Sequence, residues 1–217
     1  MSETQIFEPD GRAIPYTVEG DGPALVLIAG AGLNPTYLGG LAHSVSEEDF
    51  RVVRVGSRRA TDAAVTMNDL ARDVVDLMDH LDIADAWVGG HAFGGTVARV
   101  VALDHHDRVN GVLLLGVEAQ APAEPDLSGV AARFLDGGIA DMQRAAWAVP
   151  ATVAADVPVL VVQGADDDVL PPANGEALRA SAPDLVSVVD VEHAAHFFPA
   201  THVVATSWAI EDYLDWD

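Results

Sequence analysis

The sequence predicts an α/β domain built on a mainly parallel sheet, doubly wound with helices on both faces. Three observations carry that expectation. Six short apolar runs recur along the 217 residues, at 24–30, 50–56, 86–90, 109–117, 157–164 and 185–191, and none alternates apolar with polar. Continuous runs of this kind are strands buried on both faces, as in a parallel sheet covered by helices. The segments between the runs have the length and periodicity of crossover helices. Finally, half of the residues are apolar, enough for a single domain that buries about 70–75% of its unfolded surface.

Taken in order, the chain opens with TQIFEPDGRAIPYTVEGDG, which reads as two short strands around the turn Pro9-Asp10-Gly11. Thr66-Met67-Asn68-Asp69 resembles a capping box, and Leu70, Val74, Leu77, Met78 and Leu81 then share one helical face. A helix over 94–105 is apolar nearly all round and is expected to be buried. Pro171-Pro172 opens another helix, where a missing N–H costs little. The last helix is expected over 201–214. One stretch breaks the rhythm: residues 118–156 carry no strand signal but include Leu127, Val130, Phe134, Met142 and Trp147. They form one or two helices, either a short lid over a pocket or an ordinary long crossover.

Charge and composition remove several function classes. There are 34 acids against 11 bases, all arginine, for a net charge of −23. That field repels phosphate backbones and anionic membranes, so no nucleic-acid or membrane partner is expected. No apolar run approaches the roughly 18–20 residues of a membrane span. The acidic, polar start MSETQIFEPD is unlike a signal peptide, and the absence of cysteine removes disulfides and thiolate metal sites. A cytoplasmic protein is the expectation, and a homodimer is compatible with it.

The chemistry-bearing stretch is WVGGHAFGGTVARVVAL at 87–103, a strand that runs into Gly90-His91-Ala92-Phe93-Gly94-Gly95 and then into a helix. A nucleophile on such a turn adopts strained backbone angles, so the positions two before and two after it must lack bulk. Gly90 and Gly94 occupy those offsets from Ala92. The helix start aims free N–H groups at the apex, which favours a developing oxyanion. Further on, Gly164-Ala165-Asp166-Asp167-Asp168-Val169-Leu170-Pro171 places carboxylates after one strand, and Glu192-His193-Ala194-Ala195-His196-Phe197 places a histidine after the next. Parallel strands deliver these ends to one sheet edge, where open α/β sheets keep their sites. A histidine oriented there by a buried carboxylate is a general base pointed at the elbow.

These residues resemble the α/β-hydrolase family along nearly the whole chain. Its Gly-x-Ser-x-Gly elbow stands here as Gly90-His91-Ala92-Phe93-Gly94, with alanine where serine is usual. Its acid turn matches Gly164, Asp167 and Pro171, which favours Asp167 over Asp166 and Asp168. Its final histidine matches His196, although His193 replaces a customary glycine. The oxyanion loop reads Ala29-Gly30-Ala31 rather than His-Gly-x, and the resemblance implies that the backbone N–H groups of Ala31 and Phe93 form the oxyanion hole. Val55-Gly56-Ser57-Arg58-Arg59-Ala60-Thr61 stands where many relatives carry Asp-x-Arg-Gly-x-Gly. The family implies a sheet of about eight strands, a small-molecule acyl substrate and no cofactor.

Substrate-contact candidates are Gly30, Tyr37, His91, Arg58 and Trp147. Plainer roles compete: elbow support for His91, core packing for Tyr37, a solvated loop for Arg58 and lid packing for Trp147. His193 and His196 have an H-x-x-H spacing but no further matched ligands, so no metal site is expected. The methyl group of Ala92 cannot attack a carbonyl. Three explanations compete: a deliberate Ser→Ala variant of a hydrolase of small esters, thioesters, lactones or related acyl bonds; a natural ligand-binding relative without activity; or a cofactor-free oxygenase or lyase that uses the His–Asp pair directly. The intact glycines, histidine and aspartate favour the first.

Overall fold

The computed structural model describes residues 3–59 and 64–214; Ala60 and Thr61 of the loop noted above lie outside them. Eight strands form one sheet: β1 (Gln5–Phe7), β2 (Ile14–Glu19), β3 (Ala24–Ile28), β4 (Arg51–Val55), β5 (Ala86–His91), β6 (Val109–Leu115), β7 (Val159–Gly164) and β8 (Val186–Val191). Their order is β1-β2-β4-β3-β5-β6-β7-β8, with β1 and β2 antiparallel to their neighbours and all remaining pairs parallel. The helices are α1 (Gly39–Ser46), α2 (Met67–His80), α3 (Phe93–Asp104), α4 (Ala140–Ala146), α5 (Ala173–Ser181), α6 (Phe198–Thr201) and α7 (Val203–Leu214). Among the described residues no helix is long and apolar enough to cross a membrane.

The two-faced burial of the strands explains why their sequences do not alternate. Along β3, Val26 and Ile28 pack in one core with Val74 of α2 and Val97 of α3. Leu25 and Leu27, the intervening positions, pack in a second core with Leu41 of α1 and Ile210 of α7. The same division repeats at Leu114 and Leu113 on β6 and at Val161 and Leu160 on β7. The helix at 67–80 starts as expected: Thr66 Oγ1 accepts the Asp69 N–H at 3.2 Å, and Asp69 Oδ2 accepts the Thr66 N–H at 2.9 Å.

One expectation needs correction. The run at 185–191 is a sheet edge, so Val189 and Asp190 of β8 are exposed rather than buried on both faces. The final helix runs as expected, as α7, and a short α6 precedes it across His202. Helix α1 carried no sequence signal because it opens on Gly39-Gly40, which helices disfavour; tertiary packing of Leu41, Ala42 and Val45 holds it. The stretch 118–156 contains only α4 and two short 3₁₀ turns, Leu127–Gly129 and Ala132–Phe134. It is stitched to the loop after β3, where Asn34 N–H donates to Phe134 O at 2.9 Å and Asp136 N–H to Gly32 O at 2.7 Å.

Candidate active site

The loops that follow β3, β5, β7 and β8 gather at one edge because those strands run parallel. Ala92 is the single residue between β5 and α3, with φ 49° and ψ −111°. A non-glycine residue held there stores roughly 1–3 kcal/mol of strain and persists only where its surroundings impose it. Those surroundings are visible. Ala92 N–H donates to Leu115 O at 3.0 Å, and Ala92 O accepts the Thr96 N–H at 3.0 Å. A side chain at Gly90 or Gly94 would overlap the carbonyl oxygen of Ile28. The two glycines therefore let α3 close down on β3, and the elbow follows.

Beside it the acid and the histidine meet. Asp167 Oδ2 lies 3.0 Å from His196 Nδ1, and both residues are buried. Asp167 Oδ1 accepts the N–H groups of Val169 at 2.9 Å and Leu170 at 2.8 Å, which fixes the carboxylate in one orientation. Asp166 and Asp168, by contrast, are exposed. The other ring nitrogen of His196, Nε2, is buried without a hydrogen-bond partner among the described residues. His193 is exposed and takes φ 58°, the backbone that a glycine would adopt without strain.

His91 is buried and bonded to the loop that carries His196. Its Nε2–H donates to His196 O at 2.9 Å, and the two rings lie 4.7 Å apart. Burial first, and then the neighbouring His196, push its pKa well below the ordinary histidine value, so His91 stays neutral. Tyr37 packs at 5.5 Å from His91, is buried, and has its hydroxyl pKa raised by burial and by the charge of Asp167. Gly30 lies against His91, where an added side chain would come within 3.0 Å of Nδ1. None of these three lines the cavity described next. The Arg58 guanidinium is bonded to Asp73 at 2.5 and 2.7 Å.

A cavity of about 260 Å³ opens beside the loop after β3, lined by Ala31, Gly32, Leu127, Ala140, Arg144 and Trp147 among others. Trp147, the one substrate-contact candidate found on its wall, meets the Phe93 ring edge-on at 5.1 Å and so links the cavity to the elbow. Phe93 stands in the first turn of α3, where backbone N–H groups lack intrahelical partners. Two buried polar residues went unnoticed in the sequence. Gln143 accepts the Gly32 N–H at 2.8 Å and donates to Ser57 Oγ at 2.8 Å. Glu118 accepts from Thr96 and Trp147. No local pattern marks either one, because each answers a donor distant in sequence.

This assembly of elbow, acid turn and final histidine on an eight-stranded sheet is that of an α/β-hydrolase-fold protein. The profile of the α/β hydrolase fold matches residues 48–147. A Variovorax paradoxus (strain S110) protein provisionally named carbamate hydrolase RutD is 32% identical over 108 residues, which span 46% of this chain and 41% of that one. Among solved structures, E-2-(acetamidomethylene)succinate hydrolase superposes with TM-score 0.82 at 17% identity, covering 99% of this chain and 100% of that chain. A thermophilic esterase from Thermogutta terrifontis, malate bound, superposes with TM-score 0.75 at 20% identity, covering 99% and 98%. The structural likenesses show the fold; the curated match spans less than half of the relative's length.

Proposed function

We propose that this edge is the active site of a hydrolase of small acyl bonds, such as esters, thioesters or lactones, in which position 92 is the seat of the nucleophile. One observation carries the reading: Ala92 sits at φ 49° and ψ −111°, a strain that an alanine has no use for but that lifts a nucleophile clear of the sheet. With serine there, Oγ attacks the acyl carbon while His196 Nε2 takes its proton. Asp167 holds the ring and stabilises the imidazolium. The N–H groups of Ala31 and Phe93 receive the oxyanion, and His196 then returns the proton to the leaving group; water, giving its proton to His196, next attacks the acyl-serine and releases the acid, and the proton returns to the serine. The cavity beside Ala31 receives the substrate. Named hydrolase and esterase relatives support the class. Loss of the nucleophile lowers kcat by on the order of a millionfold in such a site, so the chain as it stands binds substrate and turns it over negligibly.

The test is Ala92→Ser assayed on p-nitrophenyl esters from acetate to octanoate. Hydrolysis by the serine form and none by the alanine form is the expected result; an inert, folded serine form overturns the reading. A second reading rests on His196 Nε2, buried with no hydrogen-bond partner among the described residues. There the His196–Asp167 pair removes a proton from the substrate itself, as in a cofactor-free oxygenase or lyase. Oxygen uptake with an aromatic heterocycle by the Ala92 chain, abolished by His196→Ala, would favour it.

A further inference from the structure

Glu118 is a buried carboxylate outside the triad positions. Its Oε2 accepts the Thr96 hydroxyl at 2.5 Å and the Trp147 Nε1–H at 2.7 Å. Its Oε1 is 3.5 Å from the Ala123 N–H. Arg99, also buried, donates to Glu118 O at 3.5 Å and to Pro150 O at 2.8 Å. Burial raises the Glu118 pKa, opposed by the bonds from Thr96 and Trp147 and by the Arg99 charge. The two helix residues, Thr96 and Arg99, are on α3, the elbow helix, while Trp147 and Pro150 belong to the covering stretch 118–156. One carboxylate thus joins the elbow helix to the wall of the cavity.

We propose that Glu118 is a positioning residue that sets acyl-length selectivity, because it holds the Trp147 indole in one orientation as the inner wall of the 260 Å³ cavity. The proposal rests on the reading above that this cavity receives the substrate, and it places the acyl group there. An indole whose N–H is bound to a buried carboxylate has one acceptable rotamer, and Phe93 supports its face-to-edge contact at 5.1 Å. Without the carboxylate, Thr96 and Trp147 lose their common acceptor. The ring is then free to swing, and the cavity deepens. In Glu118→Gln the side chain keeps its size but loses its charge, and its NH2 either faces the Ala123 N–H, donor against donor, or is turned onto Thr96 and Trp147, so the Trp147 N–H is no longer held as firmly. A purely stabilising role would lower the folding stability and weaken all ligands alike. A positioning role changes their order.

The chain as it stands allows a test without turnover. Ethyl butyrate and ethyl octanoate are titrated onto the Ala92 protein and onto Glu118→Gln and Trp147→Phe, with binding read from amide and indole ¹H–¹⁵N signals. The Trp147 indole signal is assigned by its loss in Trp147→Phe. The expected result is a preference for butyrate in the unaltered chain, and a shift of on the order of tenfold toward octanoate in each variant. The Trp147 indole signal should also move in Glu118→Gln. An unchanged butyrate-to-octanoate ratio in a folded Glu118→Gln protein overturns the proposal, as does binding of neither ester to any form. The hydrolase reading fails separately, through an inert Ala92→Ser form, so the two failures are told apart.

Discussion

The elbow and the covering stretch 118–156 hold their residues in place by opposite means. At the elbow the backbone does the positioning: Gly90 and Gly94 admit α3 against the Ile28 carbonyl, and Ala92 is forced to φ 49°. In the covering stretch side chains do it. Gln143 ties α4 to Gly32 and Ser57, Arg99 holds Pro150, and Glu118 holds Trp147. The stretch has little regular structure of its own, so its shape depends on those bonds. The difference teaches where change is tolerated. An elbow built on backbone clearances admits only small residues, whereas a wall held by side chains can be reshaped one bond at a time.

The comparison can be broken most forcefully at the chemistry. In an Ala92→Ser protein, His196→Ala should lower kcat by about 10⁵–10⁶-fold, while Arg58→Ala, which removes a partner of Asp73 and is not among the residues lining the cavity, should leave kcat/KM within about twofold at matched folded fraction; steady-state kinetics check both. Next in size, Gly94→Val should cost more than about 4 kcal/mol and leave little folded protein, because its side chain would meet the Ile28 and Ala29 carbonyls; circular dichroism reads this. Gln143→Ala should cost only about 1–3 kcal/mol, the penalty of leaving the buried Gly32 N–H without an acceptor, as read from denaturant midpoints.

A smaller effect sharpens the strain argument. Ala92→Gly should raise stability by roughly 0.5–1 kcal/mol, since relief of a strained backbone outweighs the added chain entropy of glycine. The acid limb of stability tests His91. Its folded pKa is depressed from 6.5, so its contribution is complete above that value and is lost as pH falls below it, where the unfolded chain binds the extra proton. Denaturation midpoints from pH 8 to pH 5 should fall on the acid side, and the fall should be shallower in His91→Gln.

How much was legible follows from the same contrast. Strands buried on both faces announce themselves as unbroken apolar runs, and the elbow announces itself because backbone clearance demands glycine at fixed offsets. Asp167 was separable from Asp166 and Asp168 through the resemblance, and the structure buries it and exposes them. The edge position of β8 was hidden, since Val188 and Val189 read the same at an edge as in the centre. The pairing of Arg58 with Asp73, on the buried side of α2, was not legible, because no local pattern encodes that contact. Glu118 and Gln143 were invisible for the same reason: a buried polar side chain is explained by what it meets, and Gln143 meets residues 86 and 111 positions away in the chain.

The central claim is that position 92 is the seat of a nucleophile served by His196 and Asp167. Intact-mass and peptide mass spectrometry of the Ala92→Ser protein after exposure to a fluorophosphonate tests it most directly. The account predicts one phosphonyl adduct per chain, located on residue 92 and lost when His196→Ala is added. A folded Ala92→Ser protein that takes up no adduct at that residue would contradict it.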